Sequence, residues 1–167
     1  YPLYEGKLSL LGDLVTKDEA INQAADRVLF ERTGLQNLFL EQVLCFGNVN
    51  RHPSGRVVSV AYYTLVNINH INLAVQDHEL HWHSIHQVGN MAFDHNEILN
   101  TCLIRLQERI KAEPIGFNLL PEKFSMRSLQ LLYESVLMES DVPHRPAKLF
   151  KFNSEKYRQQ DIKGNFV

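Results

Sequence analysis

The sequence predicts an α/β protein, and three observations carry that expectation. A helical periodicity over residues 19–35 is followed by two stretches rich in β-branched and aromatic residues, 38–47 and 56–68; a long apolar stripe at helical spacing then runs through Ile98, Cys102, Leu106 and Ile110. With 167 residues, 44% of them hydrophobic and 22% charged, the chain has the length and balance of a globular protein and not of a disordered or fibrous one.

In EAINQAADRVLFERTGL, the residues Ala20, Ile21, Ala24, Ala25, Val28 and Leu29 share one face, and Gly34 stands where a helix would stop. LFLEQVLCFG and RVVSVAYYTLVNI read as an antiparallel pair, because NRHPSG between them supplies turn chemistry. LHWHSI is a shorter candidate strand. FDHNEILNTCLIRLQERIKAEP predicts a second helix with Asp94 as N-cap and Pro114 just beyond its end. A third helix is expected in IGFNLLPEKFSMRSLQLLYESVL, capped by Ser125, and AKLFKF reads as a closing strand. The chain has no internal repeat and no low-complexity tract.

Composition narrows the function classes. The 17 basic and 19 acidic residues leave a net charge of −2, divided unevenly: residues 1–110 hold 8 basic and 12 acidic side chains and residues 111–167 hold 9 and 7. An acidic body with a slightly basic tail permits a nucleic-acid contact without demanding one. No apolar run approaches the ~18 residues of a membrane span and no basic leader precedes an apolar core, so a cytoplasmic protein with no membrane partner is expected. Cys45 and Cys102 lack C-x-x-C spacing and read as buried free thiols. In DHELHWHSIHQV, His81 and His83 would face one side of a strand, near His78 and His86; without a second cluster at ligand spacing they read as surface histidines around Trp82, and no metal is assigned. No P-loop, dinucleotide fingerprint or G-x-S-x-G elbow is present.

A helix preceded by Gly12, Asp13 and Glu19 and closed by Thr33-Gly34-Leu35 resembles the Nudix box. In that motif a glycine, five free positions, Glu, seven free positions and Arg-Glu-apolar-x-Glu-Glu-x-Gly-apolar make a loop, a helix and a loop. Registered on Gly34 and Leu35, Glu19, Arg27, Leu29 and Glu31 match it. Val28 stands where the motif has Glu, Arg32 replaces the second Glu of the pair, and Asp13 takes the glycine position with Gly12 one place early. Positions 28, 31 and 32 share one helical face, where three carboxylates can hold Mg²⁺ against a diphosphate. Val28 offers no oxygen, and Arg32 brings a permanent positive charge that repels a cation and attracts an anion or a sugar hydroxyl. Hydrolysis is therefore expected to be lost, with no catalytic residues and no cofactor. Glu19 and Arg27 read as a fold-maintaining ion pair, with a ligand role for Glu19 as the alternative.

The likeness extends past the box. FGNVNRHPSGRVVSVAYYTLVN, MAFDHNEI and EPIGFNLLPEKFSMRSLQLLYESVL are similar to Nudix-related transcriptional regulators, in which a non-catalytic Nudix domain senses a metabolite and a winged helix binds DNA. The resemblance implies a Nudix-like α/β/α sandwich over residues 1–112 and a winged helix over 113–167, acting as a repressor, dimeric on operator DNA. Two branches of the family bear on the effector. EPIGFNLLP, AYYTLVNIN and LFKFNSEKYR place the chain nearer the pentose-responsive branch, similar to the Bacteroides arabinose-responsive regulator, so that L-arabinose and control of sugar-utilisation genes are implied. The alternatives are an ADP-ribose-responsive regulator of NAD metabolism and an active Nudix pyrophosphohydrolase. Candidate effector-binding residues are Glu19, Arg56, Asp94 and His95, the last two reading equally as a helix cap. Candidate DNA contacts are Arg145 and Lys148 in a wing formed by HRPAKLFKF, with Arg127 as a further cation. MESDVPHRPAK runs directly from the first winged-helix helix to the wing, so the recognition helix is expected to be missing between Ser140 and Asp141. Only 11 residues precede Gly12, fewer than the resemblance implies.

Overall fold

Helix α1 (Ile21–Thr33) is bounded by local chemistry. At its start the Gln23 carboxamide oxygen accepts the Ala20 N–H at 2.8 Å, half of a capping box that Ala20 has no side chain to complete. At its end Gly34 turns left-handed, with φ 74°, a conformation that costs glycine little, and its N–H closes on Phe30 O at 2.7 Å. The buried Thr33 hydroxyl donates to Leu29 O at 2.6 Å and accepts the Leu35 N–H at 3.1 Å. Ala24 and Val28, one turn apart, are buried. Ile21, expected inward, is exposed, and Ala20 precedes the helix, so the inward stripe is narrower than periodicity suggests.

A computed structural model of the chain describes residues 4–68, 71, 80–113, 119–120, 124–137 and 149–150. Among them the expected antiparallel pair forms between β1 (Glu41–Phe46) and β2 (Ser59–Tyr63). Glu41 pairs with Tyr63 and Gln42 with Tyr62, but Cys45 pairs with Val60 and Phe46 with Ser59, so Val43 and Leu44 together oppose Ala61 in a β-bulge. The extra residue reverses the alternation: Leu44 and Cys45 are both exposed and Phe46 turns inward. Cys45 is thus not the buried thiol expected from the sequence; Cys102 is half-buried, and burial pushes its thiol pKa up. Arg56 does not open a strand, since β2 begins at Ser59. The strand expected over LHWHSI does not form either. His81, Trp82, His83 and Ser84 are all exposed, leaving no face to bury, and a single 3-10 turn at Ile85–Gln87 follows.

Helix α2 (His95–Ala112) carries the predicted stripe, with Ile98, Leu106 and Ile110 buried. The Asp94 carbonyl accepts the N–H groups of Glu97 and Ile98 at 2.9 and 3.1 Å, so Asp94 holds the N-cap position by its backbone. None of the described helices is long and apolar enough to cross a membrane.

The chain divides into two compact units, 1–106 and 107–167. The buried side chains of the first come from α1, Phe46 of β1, Met91, Ala92 and the first three turns of α2. In the second, β3 (Phe124–Ser125) pairs antiparallel with β4 (Leu149–Phe150), within the stretch expected to be a closing strand. Helix α3 (Met126–Leu137) begins where Ser125 predicts: its hydroxyl accepts the Ser128 N–H at 3.0 Å. The Gln107 side-chain amide donates to Val136 O at 3.1 Å, and Ile110 and Phe124 are buried.

Candidate functional site

The Arg27 guanidinium ties the loop before α1 to the helix. Arg27 donates from Nε to Glu19 Oε2 at 2.9 Å and from one terminal nitrogen to Glu19 Oε1 at 2.8 Å and Leu14 O at 3.0 Å; its other terminal nitrogen reaches Glu31 at 3.0 Å. Glu19 Oε1 also accepts the Thr16 N–H at 2.7 Å. The ion pair between loop and helix that the sequence allows is therefore formed. The Arg27 hydrogen bonds, followed by the Thr16 N–H, hold the Glu19 carboxyl down at about 2 against a usual 4.5, and Glu19 in turn raises Arg27. A depressed acid contributes stability that is whole above 4.5 and is lost as pH falls from there toward 2. Glu19→Gln should thus lower the urea midpoint at neutral pH, and the gap from the parent should close as the pH is taken below 4.5. A gap independent of pH would show that the carboxylate charge contributes nothing.

The face at positions 28, 31 and 32 does not suit a divalent cation. Val28 is apolar and only 8% exposed, Glu31 is engaged by Arg27, and Arg32 lies 3.5 Å from Asp13. One carboxylate remains where Mg²⁺ coordination at this face calls for several oxygens. Among the described residues no group of three His, Cys, Asp or Glu side chains is arranged to hold a metal ion. His81 and His83 meet edge-on with ring centroids 6.3 Å apart on the exposed segment, and His78 lies outside the described residues.

A second network sits where α2 begins. Arg51 makes a two-pronged pair with Asp94, Nε to Oδ2 at 2.7 Å and a terminal nitrogen to Oδ1 at 2.8 Å, and its other terminal nitrogen donates to Ser59 Oγ at 2.6 Å. The Arg51 side chain is 4% exposed and that of Asp94 15%. Burial pushes the Asp94 carboxyl up, but the hydrogen bonds and charge of Arg51 outweigh it and the net direction is down. The carboxylate therefore serves Arg51 and not the helix cap. His95 Nδ1 accepts the Leu10 N–H at 2.9 Å, and Ala92 N–H donates to Leu8 O at 2.8 Å, so two bonds strap residues 8–10 to the turn before α2. Burial, opposed by Asp94 and helped by Arg51 and His52, pushes the His95 pKa down; this suits a neutral ring with its proton on Nε2. Between them Phe93 adopts φ 54°, costly for a bulky residue, and its ring contacts those of Tyr4, His52 and His95 at centroid distances of 4.3, 4.7 and 5.5 Å.

Of the four expected effector residues, the structure brings only Asp94 and His95 together. Glu19 belongs to the Arg27 network, which shares no residue with theirs, and Arg56 bonds the Gly47 carbonyl within the β1–β2 connection. Arg51 escaped the sequence reading because it stands in NRHPSG, which reads as turn chemistry, 43 residues from its partner. Arg145 and Lys148 lie outside the described residues, and Arg127 approaches Glu134 at 3.9 Å.

No family model matches the sequence. The fold is Nudix-like α/β. It superposes on NrtR of Shewanella oneidensis with a TM-score of 0.69, at 24% identity over 95% of this chain and 70% of that one, and on the same protein complexed with a 27mer DNA with a TM-score of 0.65. A MutT/nudix family protein from Enterococcus faecalis gives 0.67, at 20% identity over 83% and 71% of the two chains. In sequence the chain is similar to the ADPR responsive transcriptional repressor NtrR of Acinetobacter baylyi, with 29% identity over an alignment covering 84% of this chain and 67% of that protein.

Proposed function

We propose that the chain is a DNA-binding transcriptional repressor whose Nudix-like domain, residues 1–112, takes ADP-ribose as its effector, with residues 113–167 forming the winged helix. The observation that carries this reading is the likeness to the ADPR responsive repressor along 84% of the chain. That likeness favours ADP-ribose, the alternative, over the L-arabinose that the sequence resemblance puts first. The fold shared with a protein whose structure holds a 27mer DNA supports operator DNA as the partner. A homodimer on a pseudo-palindromic operator, with Arg145 and Lys148 on phosphates, completes the proposal; the effector acts by favouring a dimer geometry of different DNA affinity.

The rival reading, a pyrophosphohydrolase, has the likeness to the MutT/nudix protein in its favour. Against it stand the buried Val28 and the engaged Glu31. The test uses duplexes selected from a random pool by the purified protein. ADP-ribose is expected to raise the melting temperature and to change the amount of duplex retained in a mobility shift, while L-arabinose and xylose do neither. No product should form from ADP-ribose with Mg²⁺ or Mn²⁺. A pentose response without an ADP-ribose response would reverse the choice of effector; metal-dependent turnover abolished by Glu31→Gln would establish the hydrolase.

A further inference from the structure

We propose that His95 is a proton-operated latch: its neutral ring holds residues 8–10 against the turn before α2, and a proton taken up on Nδ1 releases them. The latch is independent of what the domain binds.

His95 Nδ1 accepts the Leu10 N–H at 2.9 Å, which only an unprotonated nitrogen can do. In the imidazolium both ring nitrogens are donors, so no rotation of the ring restores an acceptor and two N–H groups are left face to face. The ring is half-buried, where an added charge is poorly hydrated. The charges that act on it are divided: Asp94, its neighbour in the chain, favours the cation, whereas Arg51 and His52, both from the β1–β2 connection, oppose it. The Asp94 carboxylate is committed to its two-pronged bond with Arg51 and cannot turn to the imidazolium without breaking it. On the strap itself, Lys7 lies over the Tyr4 ring, 5.6 Å from its centroid. Burial, with Arg51 and His52, therefore keeps the ring neutral at neutral pH, and the proton enters below the usual 6.5. The bond from Ala92 N–H to Leu8 O at 2.8 Å involves no titrating group, so release frees the Leu10 end of the strap first. Leu14, four residues further along, gives its carbonyl to Arg27, so the segment that loosens is the lead-in to the loop that Arg27 holds.

Amide hydrogen exchange and the nitrogen shifts of the His95 ring, followed by NMR on the full chain from about pH 7.5 to about pH 4.5, test this. Nδ1 is expected to read as an unprotonated acceptor at the upper end, and the protection of the Leu10 amide, corrected for its intrinsic rate, to fall about tenfold or more across the midpoint of the ring. The Thr16 amide is the internal control: its acceptor Glu19 has a carboxyl held at about 2, so its protection should not change over this range. His95→Asn replaces the ring by a side-chain oxygen that accepts without titrating, and is expected to remove the pH dependence at Leu10. Leu10 protection that stays constant through the midpoint overturns the proposal, and so does a ring that remains neutral to the end of the range. A fall that persists unchanged in folded His95→Asn assigns the effect to another group and overturns it too. Should that variant not fold, agreement between the ring midpoint and the Leu10 profile of the parent supports the latch, and a mismatch removes it.

Discussion

Arg51→Met should lower the free energy of unfolding by about 3 kcal/mol, because it leaves the Asp94 carboxylate largely out of water with its two-pronged partner gone. The estimate sits at the low end of the range for broken buried pairs, since Asp94 keeps some contact with solvent. Ser59 also loses a bond. The cost belongs to the orphaned charge more than to the attraction, so Arg51→Met with Asp94→Leu should recover much of the loss. Urea unfolding of the parent, the two single variants and the double variant measures the coupling directly. Equal stability of all four would mean that water already reaches this pair and that its geometry carries no energy.

Ile110→Ala should cost a similar amount, about 3 kcal/mol, and Ile110→Val about 1 kcal/mol. Ile110 is 1% exposed and is the large side chain most completely removed from water among the described residues. Removing its outer carbons forfeits both transfer energy and the contacts of a packed lining. Thermal and urea melts of the two variants check the order. An alanine variant within about 0.5 kcal/mol of the parent would show that the surroundings close over the gap.

What was legible in the sequence is what local chemistry decides. Gly34 ends α1 and Ser125 caps α3, because each acts on backbone groups within three or four residues. The Ile98, Leu106 and Ile110 stripe of α2 is likewise a matter of spacing. The altered box could be read letter by letter, and Val28 is as unavailable in space as its letter implies. Features that depend on distant partners were not legible. The bulge in β1 is a property of the strand pair, so nothing along LFLEQVLCFG alone shows that Cys45 is carried outward and Phe46 inward. Arg51 acquires its meaning from Asp94, far along the chain. The choice of effector is hard to read from sequence for a related reason: recognition of a sugar or nucleotide is set by polar groups converging in space, whereas AYYTLVNIN and EPIGFNLLP mark kinship and not chemistry.

The bulge has a practical side. By carrying Cys45 to the surface while Cys102 stays half-covered and protonated, it makes the two thiols unequal toward reagents. A maleimide dye would mark β1 first and leave α2 largely unlabelled. The unit that carries the box thus comes with its own attachment point for a fluorophore or spin label, with no residue changed. The same outward sulfur is open to oxidative cross-linking between copies in air, so a reductant belongs in every buffer used to count subunits.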